Sequence, residues 1–530
     1  MADFSYSTPY SVRRVPVMGR AMVAASQPLA AQAGLRMLQD GGNAVDAALA
    51  TAITLTVVEP TGNGVGSDAF AILWDGKELH GLNASGRSPA AWTPERFRGL
   101  TAMPPLGWES VTVPGAVSAW VMLSERFGKL PFESLFAPAI GYARHGFAVS
   151  PTIARLWAIG AGKLGDQPGF REHFTRDGQA PTAGEAFVNE ALARTLETIA
   201  RTRGEAFYRG ELAEAIAGFA RKHGAAITPD DMAAHESDWC GTISTRFRGV
   251  ELHEIPPNGQ GIAALMTLGM LEHTEIETLD PDSARGMHLQ IEAMKLAFAD
   301  VERFVADRDH MSIGTDALLD PGYLRGRARL IDRSRASQPK AGAPVAGGTV
   351  YLTAADESGM MISYIQSNYS GFGSGVVVPG TGIHLQNRGA GFTLEDGHPN
   401  QVGPGKRPFH TIIPGFLMRD GQPLMSFGVM GGPMQAQGHV QMVLRTQLYG
   451  QNPQTASDAP RWRVIAGNQV AVEWDVPMPV VRELEVMGHV ITREEPDAAF
   501  GFGGAQLIHR LTDGYVGGSD HRKDGLVAAF

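Results

Sequence analysis

Cysteine is almost absent from this sequence of 530 residues, which contains only Cys240. A chain with one cysteine forms no internal disulfide, so the small secreted folds that depend on disulfides are excluded. A lone thiol is more often a small buried side chain than a nucleophile. We therefore expect Cys240 to be buried and to take no part in chemistry.

The sequence also lacks an excess of positive charge. Acidic residues outnumber basic ones, and the formal net charge is −10. Proteins that bind nucleic acids need a concentrated positive surface, so no nucleic-acid partner is expected. A local basic pocket is still compatible with this balance.

Long apolar runs are missing as well. The most apolar stretch, residues 47–58, lies between Asp46 and Glu59 and is shorter than the roughly 20 residues of a membrane span. It predicts a buried helix, and we expect no membrane partner. The N-terminal stretch has no continuous apolar segment after its arginines, which favours a cytoplasmic protein without a secretory signal.

Motifs for metals and nucleotides are not found. There is no HExxH motif, and His253-Glu254 lacks a second histidine at helical spacing. The glycine-rich stretches TGNGVG and GFGSG do not have the spacing of a dinucleotide-binding loop. We expect no metal and no cofactor. The contents of 43% hydrophobic and 19% charged residues are those of a globular protein.

The front of the chain is predicted to form two helices and a strand. Ser26, shortly before a proline, is the candidate N-cap of an Ala/Leu-rich helix that stops at Gly41. Asn43 is the candidate cap of the apolar helix that follows. Residues 69–74 then have the pattern of a short buried strand.

The middle of the chain is predicted to be mostly helical, with apolar residues at helical spacing in segments such as 116–127 and 287–299. An arginine-rich run then leads into SQPKAGAPVAGG, which contains proline and has no periodicity, so we interpret residues 336–348 as a linker. Helices come first and strands later. Length and order favour two or three domains, or one large α/β sandwich.

A β-hairpin is predicted directly after the linker. TVYLTAAD and MMISYIQS alternate like strands and flank the short turn Glu357-Ser358-Gly359. Because side chains alternate along a strand, Thr349, Tyr351 and Thr353 share one face of the first strand.

Thr349 has the chemistry of a nucleophile if it becomes an N-terminus. A threonine hydroxyl needs a base, and one known base is the threonine's own α-amino group. That amine titrates near 8, so it accepts a proton at neutral pH. The bond to be cut joins Gly348 to Thr349, and glycine leaves the carbonyl open to attack. Taken alone, Gly-Gly-Thr before a strand is usually a loop end.

Motifs along the whole chain resemble those of the γ-glutamyltransferase family. In order, they are GNAVDAALATAITLTVVEP, GVGSDAF, VPGAVSAW, GKLPFESLFAPAI, ARHGFAVS, PPNGQGIAAL, HLQIEAMKLAFAD, GFGSGVVVPGTGI, KRPFHTIIP, GVMGGPMQ and GGSDHR. The resemblance implies an N-terminal-nucleophile hydrolase with a four-layer αββα sandwich. It also implies self-cleavage into a large subunit, 1–348, and a small subunit, 349–530, which stay together as a heterodimer able to pair into a dimer of heterodimers.

The resemblance implies roles for single residues. Thr349 falls on the family's nucleophile, and Thr353 on the serine or threonine four residues later. Asn368 falls on the asparagine that helps to hold the acyl group. Gly431 and Gly432 fall on the pair whose backbone N–H groups form the oxyanion hole, where one donor contributes on the order of 3 kcal/mol. Without the resemblance, GVMGG would be interpreted as a plain turn between strands.

The sequence departs from the family where γ-glutamyl-specific members bind the α-ammonium of the substrate. QNRGAGF replaces NNxMDDF, so Gly391 stands at the position of the aspartate. Arg388 stands where the family has glutamine or glutamate, and a guanidinium there would repel an ammonium. We therefore predict that the ammonium pocket is missing. The other interpretation is that Arg388 is a solvated loop residue and that glutamyl binding is rebuilt elsewhere.

The family's carboxylate-binding groups are also changed. In SGRSP, Ser85 stands at the position of the family's arginine, and Arg87 follows two residues later. Two serines become His410 and Thr411, which still donate hydrogen bonds. A pocket with Arg87 or Arg388, His410 and Thr411 suits an acyl group with a carboxylate but no adjacent amine, such as a glutaryl amide or oxamate.

We therefore predict an autoprocessing hydrolase that cleaves an amide through a threonyl ester and transfers the acyl group to water or an amine. The nominal activity is that of a γ-glutamyltransferase or glutathione hydrolase. The alternative is an oxamate amidohydrolase or glutaryl acylase, as in the cytoplasmic branch of the family. A second alternative is an uncleaved, non-catalytic homologue. The expected partner is a small-molecule amide that carries a carboxylate.

Overall fold

The computed structural model of the chain describes residues 10–11, 14–339, 348–496 and 501–530. Most of the predicted linker, residues 340–347, lies outside the described residues. The strands are β1 Val17–Gly19, β2 Met22–Ala25, β3 Asp68–Trp74, β4 Leu79–Ala84, β5 Phe147–Ala148, β6 Ala186–Phe187, β7 Asp238–Trp239, β8 Ile243–Phe247, β9 Val250–Glu254, β10 Gly348–Ala355, β11 Met361–Tyr369, β12 Val377–Val378, β13 Ile383–His384, β14 Gly415–Arg419, β15 Gln422–Met430, β16 Trp462–Ala466, β17 Gln469–Glu473, β18 Val490–Glu494, β19 Gly504–Arg510, β20 Tyr515–Ser519 and β21 Leu526–Ala529.

The α-helices are α1 Pro28–Gln39, α2 Ala44–Val58, α3 Ala116–Phe127, α4 Ala137–His145, α5 Pro151–Leu164, α6 Phe170–Phe174, α7 Glu190–Thr202, α8 Glu205–Arg209, α9 Glu211–Lys222, α10 Pro229–Ala233, α11 Gly261–Leu271, α12 Ala284–Phe304, α13 Thr315–Leu318, α14 Pro321–Ala328, α15 Met434–Val443, α16 Pro453–Asp458 and α17 Met478–Val486. Short 3₁₀ turns connect several of them, among them Arg388–Gly391.

Two seven-stranded sheets form the centre of the molecule. The first has the order β21-β2-β10-β11-β3-β4-β7, and the second has the order β1-β20-β19-β15-β14-β9-β8. Their strand pairs are antiparallel. The hairpin of β10 and β11 lies in the middle of the first sheet, so the residues around Thr349 are covered on both sides.

Three apolar clusters divide the molecule into four layers. One cluster lies between the sheets and includes Phe70, Tyr351 and Phe416. A second packs the outer face of the first sheet against α2 and its neighbours, and a third packs the outer face of the second sheet against α11, α12 and α15. The arrangement is the αββα sandwich that the resemblance implied, and the predicted fold class is confirmed.

The sheets approach each other closely beside the middle of β10. A β-carbon at Gly428 in β15 would lie 2.4 Å from the Tyr351 ring, so the tyrosine of the first sheet occupies the space that glycine leaves in the second. Tyr351 and Thr353 both face the second sheet, while Val350 and Leu352 face the helices. The predicted alternation along β10 is confirmed.

The helix predictions at the front of the chain hold with one correction. Asn43 accepts hydrogen bonds from the first turn of α2, as predicted, but Ser26 does not cap α1. Gln27 does so, since its Oε1 accepts from the N–H groups of Leu29 and Ala30. The hydroxyl of Ser26 donates instead to the buried Glu59 carboxylate at 2.5 Å.

The predicted order of helices before strands is too simple. Strands β1 to β4 and β7 to β9 precede Thr349 in sequence and lie in the same two sheets as the later strands. Short strands with a partly exposed face, such as β8, carry a weak apolar alternation and are easily missed in sequence. Of the helices that the structure describes, none is long and apolar enough to span a membrane.

Candidate active site

Thr349 lies at an irregularity in the β10–β11 ladder. Between Gly348 and Val350 the register shifts, because β11 contributes one residue more than β10 there, so Thr349 lies opposite a β-bulge of β11. Its side chain is fully buried, and its Oγ1 lies 3.1 Å from the Ser367 hydroxyl of β11. A β-carbon at Gly62 would lie 3.1 Å from the Thr349 carbonyl oxygen, so the TGNGVG loop closes over the strand here.

Ser367 links Thr349 to a buried arginine. The Ser367 oxygen accepts a hydrogen bond from Arg388 Nη2 at 2.7 Å and another from the Tyr369 N–H at 2.8 Å. Arg388 is only 1% exposed, and its guanidinium also covers the Tyr369 ring at 4.6 Å. The interpretation of Arg388 as a solvated loop residue is therefore wrong.

Arg388 differs from other buried arginines in its partners. Its Nη1 donates to Thr411 Oγ1 at 2.8 Å, but among the described residues no carboxylate lies within 4 Å and Nε is unpartnered. Arg461 and Arg522, equally buried, form ion pairs with Asp520 and Glu473. Burial lowers the pKa of Arg388 to about 10, so the side chain stays charged at neutral pH. The site thus holds a buried cation that lacks a direct anion.

The two candidate oxyanion glycines lie where β15 ends and α15 begins. Gly431 and Gly432 have φ angles of 120° and 62°, which favour glycine. Neither backbone N–H donates to a described residue. The first turn of α15 also places Gln435, whose Nε2 donates to Thr349 Oγ1 at 3.4 Å. The helix N-terminus adds a partial positive charge beside the threonine.

Gln260 links the segment that carries Thr411 to the turn that carries Gly432. Its Nε2 donates to the carbonyl oxygens of Thr411 and Gly432 at 2.5 and 2.9 Å. Gln435 acts in a similar way, because its Oε1 accepts from the Ile413 N–H at 2.9 Å. The segment that carries Thr411 and the turn that carries Gly432 are therefore fixed to each other.

Thr353 lies four residues after Thr349 on β10, and Asn368 lies on the neighbouring strand β11. Their side chains make different contacts. The Oδ1 of Asn368 accepts from the Ser67 hydroxyl at 2.8 Å, and its Nδ2 is buried without a partner among the described residues. An unpartnered buried donor is suited to a substrate oxygen. The Thr353 hydroxyl instead donates to the Ile362 carbonyl and contacts Ser426 of the second sheet at 2.6 Å.

His410 and Arg87 are engaged in contacts away from Thr349. His410 is buried, with Nε2 3.1 Å from Asp68 and Nδ1 accepting from the Ile412 N–H at 3.4 Å, so both ring nitrogens are occupied. Arg87 is about two-fifths exposed and donates to Asp307 and to the Gly405 carbonyl. Neither makes a hydrogen bond to another predicted site residue.

Asp68 is a second ionisable group beside the buried arginine. Burial raises the pKa of this carboxyl to about 7, although the charge of Arg388 and hydrogen bonds from the Gly86 and Gly115 N–H groups oppose the rise. Burial also holds the pKa of His410 well below its usual value, so the imidazole is neutral and donates from Nε2. Asp68 thus changes its charge near neutral pH and with it the potential at Arg388.

Metal-binding groups are found away from this site. Among the described residues, His288, Glu292 and His489 come together in a buried cluster. The Glu292 carboxylate already accepts from Lys295 Nζ at 2.6 Å, so the lysine supplies the cation there. Cys240 is half-buried, and burial raises its thiol pKa to about 12, which disfavours the reactive thiolate.

Comparison with known proteins gives the family. The sequence profile described as gamma-glutamyltranspeptidase matches residues 30–530. The chain belongs to the gamma-glutamyltranspeptidase family. This match confirms the predicted family and the prediction that the protein is an enzyme of that family.

Among its relatives in the gamma-glutamyltranspeptidase family are two named proenzymes. The chain is 35% identical to a glutathione hydrolase-like YwrD proenzyme of Bacillus subtilis, over 96% of this chain and 98% of the relative. It is 34% identical to an oxamate amidohydrolase proenzyme of Klebsiella pneumoniae, over 96% and 98%. A solved structure of a cephalosporin acylase from Bacillus halodurans is 46% identical, with a TM-score of 0.94 over 100% of this chain and 99% of that one.

Gly391 stands at the position where the sequence predicts that the acid of γ-glutamyl-specific members is missing. A β-carbon at Gly391 would lie 2.5 Å from the Phe409 carbonyl oxygen, so the local backbone leaves no room for an aspartate. The neighbouring 3₁₀ turn, Arg388–Gly391, directs Arg388 to Ser367. The turn whose backbone excludes a side chain at residue 391 is therefore the same turn that places Arg388 beside Ser367.

Three site residues were not predicted from the sequence. Ser367, Gln260 and Gln435 contact Thr349, or fix the groups around it, only through the tertiary fold. Ser367 has a signal in the sequence, because the hairpin pairing places it across from Thr349. The two glutamines have none, since amide side chains are common and their partners are remote in sequence.

Proposed function

We propose that this protein is a self-cleaving amidohydrolase whose substrate has an acyl group with a carboxylate and no α-amino group. The buried, unpaired guanidinium of Arg388 carries this proposal. A buried charge is costly unless it is paired, so a site that retains one is suited to a ligand of opposite charge. An oxamate or glutaryl amide supplies that charge, whereas a γ-glutamyl group would also bring an ammonium beside Arg388.

Self-cleavage is the first step of the proposed mechanism. The Thr349 hydroxyl attacks the carbonyl carbon of Gly348, and the peptide bond is exchanged for an ester to Oγ1. Water then hydrolyses the ester, which leaves Gly348 with a carboxylate and Thr349 with a free α-amine. The irregular pairing beside Thr349 supports this step, because the bulge of β11 disrupts the regular strand ladder where the bond would be cut. The products are a large fragment, 1–348, and a small fragment, 349–530, held together by shared sheets.

Amide hydrolysis uses the same hydroxyl. The α-amine of Thr349 takes the hydroxyl proton as Oγ1 attacks the substrate carbonyl, and passes it to the leaving amine when the C–N bond breaks. The N–H groups of Gly431 and Gly432 stabilise the oxyanion. Water then attacks the threonyl ester and releases the acid. Ser367 and Gln435 hold Oγ1 in place, and Asn368 Nδ2 is an additional donor for the acyl group.

The geometry favours Arg388 and Thr411 over Arg87 and His410 as the carboxylate pocket. Arg388 donates to Thr411 through Nη1 and to Ser367, the neighbour of Thr349, through Nη2. The relative named oxamate amidohydrolase supports an acyl group other than γ-glutamyl, whereas the glutathione hydrolase-like relative supports the nominal activity. Transfer to water is the proposed outcome, and a cytoplasmic location remains a prediction.

The test combines mass spectrometry with substrate comparison. The purified protein is expected as fragments of 348 and 182 residues, the second being 530 − 348, with Thr349 as its first residue. Thr349→Ala is expected to remain whole and inactive, and Thr349→Ser to cleave and retain activity. The mature enzyme should release ammonia from oxamate, or glutarate from a glutaryl amide, faster than glutamate from γ-glutamyl anilide.

Two results would favour the alternatives. Preference for the γ-glutamyl anilide would restore glutathione hydrolase or γ-glutamyltransferase as the activity. A chain that stays whole after long incubation and hydrolyses none of these amides would indicate an uncleaved, non-catalytic homologue. A Thr349→Ala variant that still hydrolysed an amide would place the nucleophile elsewhere.

A further inference from the structure

A cavity of about 390 Å³ opens beside the proposed carboxylate pocket. It lies between the C-terminal half of α12 and the segment of residues 390–409. Its walls are largely apolar and are formed by Phe298, Val301, Val305, Phe392 and Phe409. The volume is that of a small-molecule site, and such sites combine apolar walls with a few polar groups.

The inner end of this cavity meets the proposed site. Thr411 and Tyr369 line it, and both contact Arg388. Gln260 and Pro433 line it as well, and they adjoin Gly432 through a hydrogen bond and the peptide chain. The cavity therefore begins where the acyl group would lie and continues toward the surface.

Two polar side chains in the cavity wall, Asn400 and His398, are already occupied, while Glu302 and Glu395 add two carboxylates to it. Asn400 donates to the Gly391 carbonyl at 2.7 Å and accepts from the Phe409 N–H at 3.0 Å. His398 contacts the Glu302 carbonyl through Nε2 and accepts from the Asn400 N–H through Nδ1. Because Asn400 and His398 bond to the protein, the wall formed by Phe298, Phe392 and Phe409 offers a ligand apolar contact more than hydrogen bonds.

The order of product release decides which part of the substrate lies here. In the proposed mechanism the acyl group stays bonded to Thr349 while the amine departs, so the amine must face the open side of the site. The acyl carboxylate is held on the buried side by Arg388. The open cavity is thus the natural place for the leaving amine.

We infer that this cavity binds the leaving amine and that the substrates are amides of amines with a bulky apolar or aromatic group. The inference rests on the proposed function and adds the second half of the substrate to it. Phe298, on the wall formed by α12, is the specificity-determining residue. It contacts the apolar group of the amine and leaves the chemistry at Thr349 unchanged.

The experiment compares two leaving groups of similar basicity on the mature enzyme. Glutaryl methylamide and glutaryl 2-phenylethylamide are used, together with the same pair of γ-glutamyl amides. Burial of the phenylethyl chain is expected to raise kcat/KM roughly 10-fold or more over the methylamide. Phe298→Ala should remove most of this preference through KM. Phe304→Ala, on the same helix but outside the cavity wall, is the matched control and should keep it.

The outcomes separate the two ideas. Equal kcat/KM for both leaving groups, or a preference that survives Phe298→Ala, would overturn the inference while glutaryl hydrolysis still supports the proposed function. Hydrolysis of the γ-glutamyl pair alone would overturn the proposed acyl group, and the leaving-group preference is then measured on that pair. If Phe298→Ala fails to fold, Phe298→Leu, which keeps apolar volume but removes the ring, should reduce the phenylethyl preference several-fold.

Discussion

The hydroxyl oxygens of Thr349 and Ser367 lie 3.1 Å apart on neighbouring strands of the central hairpin. Ser367 also accepts hydrogen bonds from Arg388 and from the Tyr369 N–H, which hold its oxygen in one position. One serine therefore connects the proposed nucleophile to the buried cation that we propose binds the substrate. The geometry of the reaction and the choice of substrate depend on the same side chain.

Ser367→Ala is expected to lower kcat about 10- to 100-fold, because a hydrogen bond that orients Thr349 and one acceptor for Arg388 are lost. KM should change less. Steady-state kinetics on a glutaryl amide measure both effects. Ser367→Thr keeps the hydroxyl and serves as the matched variant, so it should retain most of the activity. Full activity in the alanine variant would show that Ser367 has no part in positioning Thr349.

Arg388→Gln is expected to raise KM for a carboxylate-bearing acyl amide about 100-fold, because the buried partner of the carboxylate is lost. Arg388→Lys should not restore binding, since one ammonium cannot reproduce the two N–H groups that reach Thr411 and Ser367. Because an unpaired buried charge is removed, Tm of the glutamine variant should stay the same or rise.

Arg87→Gln distinguishes the other candidate arginine. If Arg87 bound the carboxylate, this variant and not Arg388→Gln would show the large increase in KM. Its contacts with Asp307 and Gly405 lead us to expect a small effect. Kinetics of the two variants on the same substrate decide between them.

Asp68→Asn is expected to change the pH dependence of KM. The pKa of Asp68 is raised to about 7, so the carboxyl is neutral below and charged above that pH. Its negative charge offsets Arg388, and KM of the wild-type enzyme for a carboxylate substrate should therefore rise several-fold as pH increases through about 7. Asparagine keeps the oxygen that accepts from Gly86 and Gly115, but it has no charge to gain. If Asp68→Asn showed the same rise in KM with pH, the titration of another group would be its cause.

Gly391→Asp is not expected to create γ-glutamyl specificity. The β-carbon would lie 2.5 Å from the Phe409 carbonyl, so the backbone must shift, at a cost of about 1–3 kcal/mol. We expect Tm to fall by a few degrees in a thermal melt, without a gain of γ-glutamyl anilide hydrolysis. Such a gain would mean that the acid alone is what separates this protein from the γ-glutamyl-specific members.

The local patterns of the sequence determined much of this protein. The apolar helix α2, its Asn43 cap, and the hairpin that begins at the proposed nucleophile follow from spacing within a few residues. The motifs that resemble the family run through the whole chain, and this resemblance predicted the αββα fold. Ser26 shows the limit of local patterns: it had the sequence of a cap, but the buried Glu59 offered its hydroxyl a partner 33 residues away.

Tertiary structure alone decided which of several plausible polar residues meet at Thr349. In sequence, Arg87 and Arg388 were equal candidates, and His410 was as good a donor as Thr411. Packing of the 3₁₀ turn against β11 brought Arg388 to Ser367, while Asp68 and the Ile412 N–H occupied both nitrogens of His410. A side chain's role depends on which remote partners use its hydrogen bonds and on whether water reaches its charge. Residue type and spacing do not contain that information, because contacts between distant segments create it.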